Sequence, residues 1–217
     1  MKDVHSLAEW VDPKTAALVV IDVQNDFCHP EGAFAKNGLG VSLAQEMLPA
    51  LRRLMEEARA AGVPVILFRV ARAPETAWPA QKRIDQFNHG PRHTPVVVEG
   101  TWGAEFCEGF EAKPGDIVIT KNRYDAFHGT NLDLILRNLG VETLIMTGVA
   151  TNVCVESTAR TGFMLDYNIV MVDDACATTT REHHEGTLAS IGGWFGRVVK
   201  TDEVIAAWTR KAVTANR

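Results

Sequence analysis

Short continuous apolar runs alternate along the chain with stretches in which apolar positions recur every third or fourth residue. Ala17-Leu18-Val19-Val20-Ile21-Asp22-Val23 is a β-branched run broken only by a carboxylate near its end. That is the composition of a strand buried on both faces of a parallel sheet. From Ser42 to Ala61 the apolar positions Leu43, Met47, Leu51, Leu54 and Ala58 follow a helical period, and Gly62 supplies the stop. Val63 to Val70 reads as a second strand. Pro114-Gly115 turns the chain into a third, Asp116 to Thr120. Thr130 caps a helix carrying Leu132, Ile135, Leu136 and Leu139, closed by Gly140. Thr143 to Thr147 is a fourth strand that turns directly into a helix, and Asn168 to Val172 is a fifth. Thr179-Thr180-Arg181-Glu182 has the pattern of a capping box, Arg197-Val198-Val199 makes a short strand, and a last helix starts at Thr201.

Strands alternating with helices predict an α/β fold, with a mostly parallel central sheet of about six strands and helices on both faces. No linker, repeat or low-complexity tract divides residues 1–217, so a single domain is expected. The stretch from Ala71 to Lys113 departs from the alternation. It is rich in Pro, Gly, Trp and His, and a long irregular segment in a compact domain is often functional.

Composition changes this picture little. A chain of 217 residues with 46% hydrophobic and 23% charged positions is an ordinary globular one. A net charge of −5 without a basic run argues against nucleic acid as a partner. No apolar run reaches the length of a membrane span, and Met1 to Ser6 leads into a polar stretch rather than an apolar targeting segment, so a cytoplasmic location is expected. The cysteines Cys28, Cys107, Cys154 and Cys176 show no C-x-x-C spacing, so neither a disulfide framework nor a zinc site is implied.

The candidate chemistry lies at strand ends, where open parallel sheets bind their ligands. Asp22 closes the first strand and Lys121 follows the third. Cys154 lies just past the fourth, in Gly148-Val149-Ala150-Thr151-Asn152-Val153-Cys154. A thiol in the first turn of a helix meets unpaired N–H groups and the positive end of the dipole, which eases its ionisation, and the same N–H groups can hold an oxyanion. A carboxylate can take the thiol proton and return it to a leaving amine, while a lysine steadies the charges. Plainer readings stand beside these: Asp22 as a turn residue, Lys121 as a solvated charge, Cys154 as a small buried hydrophobe. Cys176, after Asp173-Asp174-Ala175, also follows a strand and reads as a structural thiol.

Ile21-Asp22-Val23-Gln24-Asn25-Asp26-Phe27, then Lys121, then the run from Gly148 to Arg160 resemble the signature segments of the isochorismatase-like cysteine hydrolases. The resemblance extends from about Ala17 to Ala207. It implies a Rossmann-like three-layer α/β/α sandwich and an Asp22–Lys121–Cys154 triad that cleaves C–N bonds through an acyl-enzyme. It also implies a cis peptide before Ala150, and an oxyanion hole made by the N–H groups of Ala150 and Cys154.

Within that family, Lys113 to Val118, Lys121 to Phe127 and Asn152 to Ser157 are similar to segments of the ureidoacrylate, biuret and N-carbamoyl amidohydrolases. The resemblance therefore implies a small-molecule ureide or amide as substrate, with Tyr124 as a contact or else a packed loop aromatic. Phe27 and Trp102 are candidate apolar walls, or else core residues. Gln24 is expected to brace the Asp22 loop. Where the ureidoacrylate enzymes carry an Asn and a Trp, this chain has Phe68-Arg69-Val70-Ala71-Arg72. There Arg69 or Arg72 could pair a substrate carboxylate, or be surface charges.

The metal-binding Asp-x-His pair of the nicotinamide-hydrolysing relatives has no counterpart here. His89 and His93 flank a proline and read as loop residues, so no metal and no cofactor are expected. Other small or cyclic amides, antibiotic amides among them, remain alternatives, as does a non-catalytic module on the same scaffold. Trp194 and Phe195 suggest an exposed apolar surface, and the resemblance implies a homodimer or homotetramer.

Overall fold

The computed structural model describes residues 6–76, 78–89 and 94–215, the side chains of 85, 88, 89 and 210–215 excepted. After the short helix α1 (Leu7–Trp10) comes strand β1 (Ala16–Ile21), followed by two short helices, α2 (Asn25–Cys28) and α3 (Ala33–Lys36), and the long α4 (Ser42–Ala61). Strand β2 (Val65–Val70) leads through α5 (Pro79–His89) to β3 (Ile117–Lys121) and α6 (Leu132–Asn138). The remainder alternates as β4 (Thr143–Val149), α7 (Glu156–Met164), β5 (Asn168–Ala177), α8 (Arg181–Trp194), β6 (Gly196–Val199) and α9 (Thr201–Ala215).

All five strand pairings are parallel, in the order β3-β2-β1-β4-β5-β6. This is the doubly wound order, and its direction reverses between β1 and β4, the crevice where such sheets bind ligands. The expected α/β architecture with helices on both faces is therefore the one observed. Every residue of β1 is buried because alternate side chains enter different cores. Leu18 and Val20 pack with Leu51, Leu54 and Trp208 from α4 and α9. Ala17, Val19 and Ile21 pack with Leu132, Leu136 and Ala159 from α6 and α7. Helix α4 buries Met47, Leu51, Leu54 and Ala58 on one stripe and ends on Gly62, whose φ of +76° is a left-handed cap.

Some boundaries differ from the sequence reading. Strand β5 continues through Asp173 and Asp174 to Ala177, because Cys176 and Ala177 pair with Gly148 and Val149 after a register shift. Cys176 thus lies within a strand rather than after one, and its thiol donates to the Met146 carbonyl at 3.5 Å. The stretch expected to be irregular contains the eleven-residue helix α5, which begins on Pro79, a residue tolerated at a first helical position. Its exposed Ile84 and Phe87 show why no buried stripe announced it. Trp194 is exposed at the end of α8, while Phe195 packs edge-on against Phe163 at 5.4 Å. No helix among the described residues is long and apolar enough to cross a membrane.

Candidate active site

Residues far apart in sequence meet at the carboxyl ends of β1, β3 and β4. Lys121 is the last residue of β3, completely buried, and its Nζ lies 2.7 Å from Asp22 Oδ2, itself only 1% exposed. The same ammonium donates to the Arg123 carbonyl at 3.0 Å. Apart from that lysine, no nitrogen or oxygen donor among the described residues serves either Asp22 oxygen. Such a carboxylate keeps a lone pair for an incoming proton. The Cys154 thiol, 8% exposed, interacts with both groups.

Local backbone geometry makes the meeting possible. Asp22 has φ +52°, a conformation an aspartate tolerates better than a β-branched residue would. Gly148 faces Ile21 across the β1–β4 ladder with φ +102°, and a Cβ there would lie 2.1 Å from the Ile21 carbonyl oxygen. Only glycine lets the fourth strand pass that close to the loop bearing Asp22. The Val149–Ala150 peptide is cis, as the resemblance implies. Cys154 then sits not in a regular helix but in a wide five-residue turn, Thr151–Val155, that precedes α7. The Ala150 carbonyl accepts from Val153 and Val155 at 3.0 and 3.2 Å. Thr158 Oγ1 donates to the Cys154 carbonyl at 2.7 Å, anchoring the turn to α7.

The thiol's ionisation runs opposite to the sequence expectation. Burial, reinforced by the neighbouring Asp22 carboxylate, pushes Cys154 up to about 12 although Lys121 pulls it down. Taking a thiolate out of water costs more than the turn and the lysine return. At neutral pH the sulfur therefore keeps its proton, and a base has to remove it. Burial pulls Lys121 down, but Asp22 and Cys154 outweigh it and hold the ammonium above its ordinary value, so it stays charged.

The loop after Asp22 is braced as expected of Gln24. Its amide donates to the carbonyls of Val70 and Ala104 at 2.8 and 2.7 Å and accepts from the Val70 N–H at 2.8 Å. Asp26 is structural too, accepting from the N–H groups of Ala33 and Val97 at 2.9 and 2.6 Å.

A cavity of about 880 Å³ opens onto this cluster, lined by Asp22, Ala150 and Cys154 at one end. Phe27, Tyr124 and Arg72 line it as well. Arg69 and Trp102 do not. Strand alternation sends Arg69 to the outer face, where it donates to Thr120 at 3.1 Å from the neighbouring strand. Trp102 is 46% exposed and packs edge-on against His29.

The sequence reading missed Trp78 and Arg123. Both line the cavity, with the Arg123 guanidinium 5.1 Å over the Trp78 ring and Trp78 edge-on to Tyr124 at 4.8 Å. Arg123 belongs to the segment Lys121 to Phe127 that resembles the amidohydrolases. Trp78 had no signal beyond its place in the irregular stretch. His93 and the side chain of His89 lie outside the described residues. Among the described residues no group of three or more His, Cys, Asp or Glu is placed to hold a metal ion.

Comparison with known proteins finds relatives over most of the chain. Residues 16–203 match the model of the isochorismatase domain. Ureidoacrylate amidohydrolase RutB from Methylobacterium radiotolerans is 36% identical over 199 residues, covering 87% of this chain and 77% of that protein. The crystal structure of a cysteine hydrolase from Pseudomonas syringae pv. phaseolicola superposes with a TM-score of 0.81 at 26% identity, over 95% of this chain and 99% of the other. N-carbamoylsarcosine amidase from Thermoplasma acidophilum gives a TM-score of 0.70 at 27% identity, over 87% and 97%.

Proposed function

The chain belongs to the isochorismatase family, and on that premise we propose that it is a metal-independent amidohydrolase that cleaves the C–N bond of a small ureido or carbamoyl amide. The observation that carries this reading is the buried Asp22–Lys121 ion pair beside the Cys154 thiol at the floor of the cavity. Because the thiol is protonated at rest, Asp22 removes its proton as Sγ bonds to the substrate carbonyl carbon. The N–H groups of Ala150 and Cys154 receive the oxyanion of the tetrahedral intermediate. Asp22 returns the proton to the departing nitrogen, the C–N bond breaks, and an acyl thioester stays on Cys154. Water then adds to the thioester, losing its proton to Asp22, and the thiol leaves reprotonated. Throughout, the Lys121 ammonium keeps Asp22 from sitting as an uncompensated buried anion.

Phe27 and Tyr124 flank a planar ureido group. Arg123 supplies positive charge along a cavity in whose lining Asp22 is the only carboxylate among the described residues, which favours a substrate with a carboxylate end. A second reading keeps the chemistry and enlarges the substrate to another small or cyclic amide. The cavity volume favours it, since about 300–1,000 Å³ houses drug-sized ligands.

Both are tested by following ammonia release from ureido acids and carbamoyl amides, and the appearance of a new amine from cyclic amides, with Cys154→Ala as the control. Turnover of ureido acids with none by the control supports the first reading, and turnover confined to larger amides supports the second. Undiminished turnover by Cys154→Ala removes the triad altogether.

A further inference from the structure

The wide turn that carries Cys154 is tied to the neighbouring strand and helix by a line of polar side chains with no part in the chemistry above. Thr151, fully buried, opens the turn, and its Oγ1 lies 3.0 Å from Nδ1 of His184 on α8. Nε2 of the same ring lies 2.9 Å from Asp173 Oδ1 on β5. The other Asp173 oxygen lies 2.5 Å from the half-exposed Lys200 ammonium. The next residue of the turn has its own tie, from Thr178 Oγ1 to Asn152 Oδ1 at 2.6 Å.

Burial pushes the Asp173 carboxyl up, but Lys200 and His184 outweigh it and hold it below the usual carboxylate range. A carboxylate can only accept, so the ring proton belongs on Nε2, and in the neutral ring Nδ1 is left to accept from the Thr151 hydroxyl. That assignment satisfies each member of the line, and a satisfied, partly buried network favours one arrangement of the groups it joins.

What the line fixes is the segment where the reacting groups converge. Thr151 directly follows Ala150, whose N–H the proposed mechanism assigns to the oxyanion, and stands one turn ahead of Cys154. A valine at position 151 has nearly the shape of threonine and would fill the same space. The hydroxyl therefore adds orientation rather than volume.

We infer that His184, oriented by Asp173, is a positioning residue that acts through the Thr151 hydroxyl to hold the Ala150 N–H and the Cys154 thiol in register with Asp22. The inference rests on the amidohydrolase reading for its catalytic consequence, and it has a second consequence that does not need a substrate. A turn free to shift would separate the thiol from Asp22 and Lys121 and slow its reaction with an electrophile.

The test compares Thr151→Val, Thr151→Ser and Asp173→Asn with the unaltered chain. Thr151→Val is expected to lower kcat for ammonia release by about ten- to a hundredfold while KM stays within about threefold. Its Tm is expected to stay within about 3 °C. Thr151→Ser, which restores the hydroxyl, is expected to recover most of kcat, and Asp173→Asn to lose kcat in the direction of Thr151→Val. In parallel, the rate of iodoacetamide alkylation at Cys154 is expected to fall by about fivefold in Thr151→Val and to return in Thr151→Ser.

Loss of activity that tracks loss of Tm, or a serine variant as poor as the valine one, overturns the inference. If no amide releases ammonia but alkylation follows the hydroxyl, the proposed activity fails and the positioning role stands. If ammonia is released while neither kcat nor alkylation follows the hydroxyl, the activity stands and the positioning role fails.

Discussion

Replacing Lys121 by methionine probes the link between fold and site most directly. Methionine keeps much of the lysine's length and volume but removes its charge, so the change isolates the ion pair. The Nζ–Oδ2 separation is 2.7 Å, with side chains 0% and 1% exposed. At an effective dielectric constant of about 20, unit charges at that distance attract by roughly 6 kcal/mol. Part of that offsets the cost of taking both ions out of water, so the pair contributes far less to net stability. Removing only one partner is different, because it leaves Asp22 as a buried uncompensated charge, at a cost of about 3–5 kcal/mol. A domain stabilised by about 5–15 kcal/mol would survive that in weakened form. The assay is urea denaturation at neutral pH across a double-mutant cycle of Lys121→Met, Asp22→Asn and the pair together. We expect the double variant to recover at least about 2 kcal/mol of the loss seen in Lys121→Met, since it no longer buries a lone charge. An additive cycle, or a Lys121→Met variant within about 1 kcal/mol of the parent, would refute the reasoning that these charges are coupled and desolvated.

Three further outcomes follow from the same geometry. Cys154→Ala should abolish ammonia release with the urea midpoint preserved, and peptide mapping after iodoacetamide should find label on Cys154 and little on the strand-buried Cys176; the reverse labelling pattern would sink the assignment. Stability should fall as pH rises from about 9 towards about 12, because an unfolded thiol loses its proton near 9 whereas burial holds Cys154 up to about 12 and raises Cys176 as well. Each such thiol contributes a slope of about 1.4 kcal/mol per pH unit in that window and none below it. Urea midpoints between pH 8 and 11 should show a shallower decline in Cys154→Ala, and an unchanged slope would count against the buried neutral thiol. Gly148→Ala should cost several kcal/mol or prevent soluble expression, since its Cβ would sit 2.1 Å from the Ile21 carbonyl oxygen in a left-handed backbone. A variant with an unchanged melting temperature would show that the two strands can separate freely.

Much of this protein is written locally. The unbroken apolar run of β1 requires burial on both faces, and the stripe of α4 requires a helix covering one of them. Alternation of such segments leaves few topologies besides a parallel sheet with helices on both sides. Asp22, Lys121 and Cys154 could be named as strand-end residues because a strand's end is visible in its own sequence. What hydrophobic period could not reveal was α5, whose Ile84 and Phe87 face solvent, and the extension of β5, which depends on pairing with β4.

Other features exist only in three dimensions. Whether Arg69 or Arg72 meets the cavity depends on strand register and on which face each side chain takes. The elevated pKa of Cys154 depends on how completely the two cores and the Asp22 loop exclude water around it, and desolvation is a property of the surroundings rather than of the residue. The Thr151–His184–Asp173 line joins a turn, a helix and a strand separated by long stretches of chain. The sequence by itself determined which groups stand at the ends of the strands. Tertiary packing decided how close they come, how dry they are and therefore which of them holds the proton, because distance and dielectric are set by the rest of the fold.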